Sequence, residues 1–436
     1  MQATSPFSVI RPTDKDIRIR PLALATAALS LAAVPLVSQP PASAPHWAAV
    51  RLGGTLAYTR VTPVPGGGTL DEARLVRPMA MVDVGVLGGR LRLQGALNLE
   101  GWTIEDGELA LGAWGEGFVD RRHPHTYVHE IMLSAVDPLG SGDGNAAVSL
   151  SIGKGFVPFG TDDPMNRPAL RFPVNHHWSQ VLERAVAIAG LRIGPVAVEG
   201  SVFNGDEPEE PGQWPRIGDR FGDSRSLRVT VFPGTGIELQ GSHAMVASPE
   251  HRTGAGPDQF KWSASARWAR PIAGHPAYGL VEWARTSEVD GFFVFHSFLA
   301  EGQYRLGRHR MYYQFERTER PEEERLLDLF RSPRPHHDDN LIGITLWTIH
   351  TAGYGIDLSQ WTSLGLEPFV EVSLGRVSEV GAGLFDPEGF YGRRSVSSVS
   401  LGARIAWSPT GGRPRRMGRY GVLLPDRHRP AQSAND

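Results

Sequence analysis

Between positions 91 and 100 the chain places Leu91, Leu93, Leu97 and Leu99 on one side of an extended segment and Arg92, Gln94, Asn98 and Glu100 on the other. A period of two makes a strand two-faced. The same alternation recurs along the chain. Leu56 and Tyr58 alternate with Thr55 and Thr59, Val148, Leu150 and Ile152 with Ser149 and Ser151, and Leu227, Val229 and Val231 with Arg228 and Thr230. Trp262, Ala264, Ala266 and Trp268 oppose Lys261, Ser263, Ser265 and Arg267, and Val399, Leu401, Ala403, Ile405 and Trp407 oppose Ser398, Ser400, Gly402 and Arg404. About sixteen such segments can be placed, an even number, as single-chain bacterial barrels require. One segment of this kind also suits a half-buried strand of a soluble sandwich.

The connections separate the two architectures. Tight turns fall at Gly88-Gly89, near 190–195, at 233–236 and at Gly307-Arg308, whereas 61–76, 103–124, 155–178, 205–223, 247–258, 320–339 and 377–394 are long and polar. Short and long links largely alternate. That sorting is expected when every second turn faces the periplasm and the others project from the cell, and a sandwich has no reason to produce it. The pattern predicts an all-β fold, a transmembrane antiparallel up-and-down barrel of about 16 strands with long outer loops and short periplasmic turns. Positions 179–190 carry a Ser N-cap, helix-favouring Ala and a terminal Gly. They are taken as a strand with Leu182, Val186 and Ile188 outward, because a helix would leave an odd count. The link at 350–364 is longer than its counterparts, leaving room for a short strand or a bend.

Composition adds limits. The 436 residues include no Cys, 51 Gly and 34 Pro, with a formal charge of -3. A disulfide framework and a Cys-based zinc site are excluded, and the charge balance does not suit a nucleic-acid binder. Arg18 and Arg20 precede an uncharged Ala- and Leu-rich stretch that ends near Ala42-Ser43-Ala44, so residues 1–44 read as a signal peptide cleaved near Ala44. Residues 45–407 form the expected barrel, and 408–436, with Arg413, Arg415, Arg416 and Arg419, read as a basic, disordered C-terminal tail.

Two stretches carry a family resemblance. Residues 153–160, Gly-Lys-Gly-Phe-Val-Pro-Phe-Gly, followed by a strand ending Val-Phe-Asn-Gly-Asp at 202–206, resemble the outer-membrane porins grouped as phosphate-selective porins O and P. The resemblance implies a diffusion channel in the cell outer membrane. Residues 400–407, Ser-Leu-Gly-Ala-Arg-Ile-Ala-Trp, are similar to the terminal signal read by the barrel assembly machinery, although such chains usually stop there and this one continues.

In a barrel of this kind the residues opposite the lipid face line the passage, and their charge sets ion preference. The inward candidates are Arg51, Arg92, Arg228, Lys261, Arg267 and Arg404, against Glu100, Glu130, Glu199, Glu238, Glu316 and Glu371. The two sets balance, so a cationic ladder dedicated to phosphate is not present. The link 155–178, between the fifth and sixth strands, is the candidate constriction loop, with Asp162, Asp163, Arg167 and Arg171 stiffened by four prolines.

Other motifs carry less. Adjacent residues on an extended chain point apart, so His176-His177 and His336-His337-Asp338-Asp339 do not define a metal site. After His129-Glu130, Leu133 stands where a zinc protease needs its second His. The acidic run at 206–210 reads as a solvated outer face able to hold divalent cations with lipopolysaccharide, and Pro321 with the residues up to Phe330 as a short helix. No cofactor, metal or catalytic residue is expected. The expected partners are outer-membrane lipid and lipopolysaccharide, small polar or ionic solutes and the assembly machinery, with a homotrimer as an assembly open to such a chain. Two rivals stand beside the channel: a barrel enzyme of lipase or protease type using the His336 to Asp339 cluster, and a secreted soluble protein that binds glycans through Trp.

Overall fold

The computed structural model describes residues 47–63, 68–103, 126–137, 146–161, 163–174, 176–208, 210–323, 341–362, 364–381, 385–409 and 415–424. The signal-peptide expectation therefore lies outside the described residues. Sixteen strands follow in order: β1 Trp47–Thr62, β2 Leu70–Val86, β3 Leu91–Asn98, β4 Val128–Val136, β5 Ala146–Gly155, β6 Arg184–Ile193, β7 Val196–Phe203 and β8 Ser224–Gly234. Then come β9 Ile237–Val246, β10 Gln259–Ala269, β11 Ala277–Glu288, β12 Phe293–Leu306, β13 His309–Glu323, β14 Leu341–Ile356, β15 Gly365–Val380 and β16 Ser395–Trp407. Each pairs antiparallel with its neighbours in sequence, and β1 closes on β16, with Leu52 opposite Trp407. Closure leaves no strand edge unpaired, which a hydrocarbon surrounding demands. Among the described residues no helix is long and apolar enough to cross a membrane.

The alternation read from the sequence sorts as the barrel requires. Leu97 is 44% exposed on the outer surface while Gln94 is 1% exposed, and Leu150 is 58% exposed beside Ser151 at 1%. The outward side is an apolar surface and the inward side is a polar one, packed tightly enough to exclude most water contact. Glu316, Thr318, Thr345 and Thr351 are all fully buried although they face the interior of the barrel.

Several local expectations are corrected. Much of 61–76 is strand, since β1 runs to Thr62 and β2 starts at Leu70. The stretch 350–356 continues β14, and β13 extends through Pro321 to Glu323, so no helix starts at Pro321; the rest of that segment lies outside the described residues. In 179–190 the strand begins only at Arg184, and Val186 and Ile188 face inward, not outward, at 0% and 2% exposure. Their partners explain the reversal. They join Met132, Phe156, Val157, Phe159, Phe203, Met417 and Tyr420 in an apolar cluster inside the barrel, formed by chain segments that fill the lumen. Full burial of such a side chain contributes about 1.5–3 kcal/mol.

Candidate functional site in the barrel lumen

The inward residues anticipated from alternation lie on the inner wall, where nearly all find partners. Glu199 and Arg228 stand opposite each other on β7 and β8, and the guanidinium grips the carboxylate through two bonds of 2.7 and 3.0 Å. Such a planar fork fixes both groups. Arg92 donates to Gly89 O at 2.9 Å. Lys261 donates to Thr286 Oγ1 at 3.4 Å and lies 5.5 Å from the Trp178 ring centre. Arg267 and Glu238 are 3.7 Å apart. Arg404 pairs with Glu367 at 3.0 Å and also donates to Tyr312 Oη at 3.1 Å. Arg51 sits half-buried near the start of β1. Glu100 does not line a strand; it opens a single helical turn, Glu100–Thr103, and accepts from Arg77 N at 2.8 Å.

Residues 156–183 leave β5 and turn into the lumen. Gly160 has φ +67°, and a Cβ there would run into Ser179 O, so glycine is what lets the two arms of the loop touch. Gly160 N donates to Ser242 Oγ of β9 at 3.0 Å. Farther along, Arg167 pairs with Glu282 of β11 at 3.2 Å, and Arg171 with Glu316 of β13 at 2.8 Å. Glu371 of β15 accepts from Leu170 N at 2.6 Å, Arg171 N at 3.0 Å and Tyr312 Oη at 2.8 Å. The far side is held by Arg404 of β16, bonded to Pro168 O, and by Arg77 of β2, bonded to Ala169 O and Leu170 O. Asp163 is buried within the loop and accepts from Met165 N at 2.7 Å. Asp162 lies outside the described residues. At the loop's end Trp178 stacks on Phe295 of β12, with ring centres 4.7 Å apart. The loop thus touches the wall from β8 round to β2.

A second segment occupies the remaining side. Residues 415–424, expected to belong to a disordered extension, are instead packed inside the barrel, with Met417, Tyr420 and Val422 buried. Arg415 pairs with Asp83 of β2 at 3.0 Å and with Glu130 of β4, and Arg416 pairs with Glu238 of β9. Arg419 donates to Gln240 Oε1 at 3.2 Å, and its own carbonyl accepts from Gln94 of β3 at 3.3 Å. Val422 N donates to Ser149 Oγ of β5 at 3.1 Å. The basic composition that suggests disorder is the complement of an acidic wall. Asp206 is likewise no solvated face: it is buried and accepts from Asn204 Nδ2 at 2.7 Å and Arg216 N at 3.2 Å.

Sequence reasoning overlooked Glu282, Glu367, Arg77 and the three arginines of the C-terminal segment. Glu282 was legible, since Val281 and Trp283 flank it on the outer face. Arg77 was not. It sits at a β-bulge with φ +52°, where β2 slips against β1, and the slip turns its side chain onto the loop. Among the described residues no group of three or more His, Asp or Glu is arranged to hold a metal ion. The His336 to Asp339 cluster lies outside them, as do the side chains of His176 and His177. On the turn after β14, Asp357 is partly buried, which alone would raise its carboxyl. The hydroxyl and N–H of Ser359 and the nearby Arg305 outweigh that and hold it below the ordinary range.

No family model matches the chain, and no curated protein does. Solved structures with a similar fold include the anion-selective porin from Comamonas acidovorans, at 12% identity and a TM-score of 0.48, covering 83% of this chain and 100% of that one. OmpT of Vibrio cholerae, in its trimer form, is 11% identical with a TM-score of 0.46, covering 84% and 100%. OccK3 of Pseudomonas aeruginosa is 11% identical with a TM-score of 0.41, covering 83% and 95%. The resemblance to porins O and P gains no support from these comparisons.

Proposed function

We propose that the protein is a porin-type channel of the outer membrane that passes small polar or ionic solutes by size and charge, without chemistry. One observation carries this reading: the inward-folded loop at 156–183 brings Arg167 and Arg171 against Glu282, Glu316 and Glu371 across a polar interior, inside a wall whose outer face is apolar. An array of fixed charges of both signs at a narrowing favours hydrated polar solutes over apolar ones. On this reading Arg92, Glu130, Glu199, Arg228, Lys261 and the other inward charges set the field along the passage, and the loop sets its width. The outer surface meets lipid and lipopolysaccharide, and β16 ends on the sequence read by the assembly machinery; a homotrimer is the natural oligomer to test.

The test is conductance of the detergent-refolded protein in planar bilayers under a potassium chloride gradient. Discrete conductance steps with a defined reversal potential are expected. A folded, heat-modifiable barrel that leaves the bilayer at its baseline would contradict the proposal.

A further inference from the structure

We propose that residues 415–424 are a resident plug, latched by charge, that must leave the lumen for the channel to open fully; this rests on the channel reading above. Loop 156–183 is fastened to the wall from Ser226 of β8, which donates to Pro158 O at 3.2 Å, round to Arg77 of β2, and its end returns to β4, where Glu183 meets His129 at 2.6 Å. The C-terminal segment packs beside the loop on the side of β3 to β5. It bonds to Gln94 on β3, Glu130 on β4, Ser149 on β5 and, through Gly418 O, Arg228 on β8 at 3.3 Å. Together the two segments leave the wall little free inner surface, so a solute on this side must displace the tail.

The mode of attachment separates plug from constriction. Loop 156–183 is tied to the barrel covalently at both ends, by β5 and β6. Described residues 415–424 follow β16, and they are held in the lumen by side-chain ion pairs, by three bonds through the segment's own backbone and by the buried Met417, Tyr420 and Val422. Three arginines meet three carboxylates, Asp83, Glu130 and Glu238. Asp83 and Glu238 lie close to the short turns 87–90 and 235–236, so the latch is set near the end of the barrel where β16 finishes. Neutralising the arginines removes this attraction, while the backbone pairing of the wall does not depend on it.

The absence of native Cys permits a direct test in the full chain. A Cβ built on Gly190 would lie 2.8 Å from Val422 Cγ2, close to the span from a β-carbon to the partner sulfur across a disulfide. The double variant G190C/V422C is therefore expected to cross-link in isolated outer membranes, read as a mobility shift reversed by reductant. In planar bilayers the oxidised variant should conduct no more than the unmodified protein, and reductant should restore its opening. The charge variant R415Q/R416Q/R419Q should conduct at least threefold more, or stay open for a larger fraction of the time. The lock retains all three arginines, so it stays informative should the charge variant misassemble. Failure to cross-link, or equal conductance of the locked, reduced and charge-neutralised proteins, would overturn the plug. Cross-linking with no conductance in any form would instead overturn the channel reading, and gating with it.

Discussion

Phe156 N donates to Tyr420 Oη at 3.1 Å, a bond that joins the first residue of the inward loop to the centre of the C-terminal segment. Both residues are buried, and 264 positions separate them in sequence. The two lumen segments are thereby one packed unit, sharing an apolar cluster with Met132, Val186 and Phe203.

Replacement of Tyr420 by Phe keeps the ring and removes the acceptor, leaving Phe156 N buried without its partner. Such a donor costs about 1–3 kcal/mol. The urea midpoint of the refolded barrel should fall accordingly, with assembly into membranes unchanged; an unaltered midpoint would show that the bond contributes nothing.

Glu282 of β11 receives Arg167 and Thr161 from the loop. Glu282→Ala strands a buried guanidinium, and removing one partner of a buried pair costs about 3–5 kcal/mol. Faster proteolysis within 156–183 and larger current noise are expected, both read against the unmodified protein.

Glu316→Gln should act on selectivity more than on stability, since Arg171 retains Phe172 O and Gln314. The change adds one net positive charge at the narrowing. At ~6 Å in water a unit charge is worth about 0.7 kcal/mol, favourable for chloride and unfavourable for potassium, so the chloride-to-potassium permeability ratio should change roughly tenfold. A reversal potential that stays fixed would remove the loop from the conducting path.

The outer and inner faces should respond oppositely to neighbouring substitutions. Leu150→Arg places a charge toward lipid, at about 2–4 kcal/mol near the bilayer midplane, whereas Ser151→Ala alters only a bond to Ser134 inside. Folding into vesicles, followed by the gel mobility of unheated samples, should fail for the first and succeed for the second.

Asp357 tests the turn after β14. Its folded-state carboxyl is depressed below the unperturbed value of about 3.9, so its contribution is complete above that pH and is lost as pH falls through the depressed value. A carboxyl titration by NMR should give a midpoint below the ordinary one; a midpoint at or above it would contradict the Ser359 and Arg305 contacts.

The wall of the barrel was legible because closure imposes one rule on every strand. Leu93, Leu150 and Leu401 obey it as lipid-side positions, and Gln94, Ser151 and Ser400 as lumen-side ones. The rule fails where the lumen is not water. Val186 and Ile188 read as outward because an apolar residue in a porin-like strand usually is, and they turn inward because Phe156, Phe159 and Tyr420 wait for them. The C-terminal segment was illegible for a related reason. A short run of Arg and Gly interspersed with Met, Tyr and Val has no pattern of its own, and its order comes from Asp83, Glu130 and Glu238, which lie far away in sequence. Arg77 depends on a bulge, which shifts parity by one residue without a composition cue.

The central claim is a membrane-spanning wall with lipid on one face and a filled polar interior on the other. Nitroxide labels placed singly at Leu93, Gln94 and Leu97 in the Cys-free chain, reconstituted in liposomes, test it most directly. Labels at positions 93 and 97 should be reached readily by oxygen and poorly by a water-soluble nickel chelate, and the label at position 94 should be shielded from both. High chelate accessibility at 93 and 97, as on a soluble surface, would contradict the account.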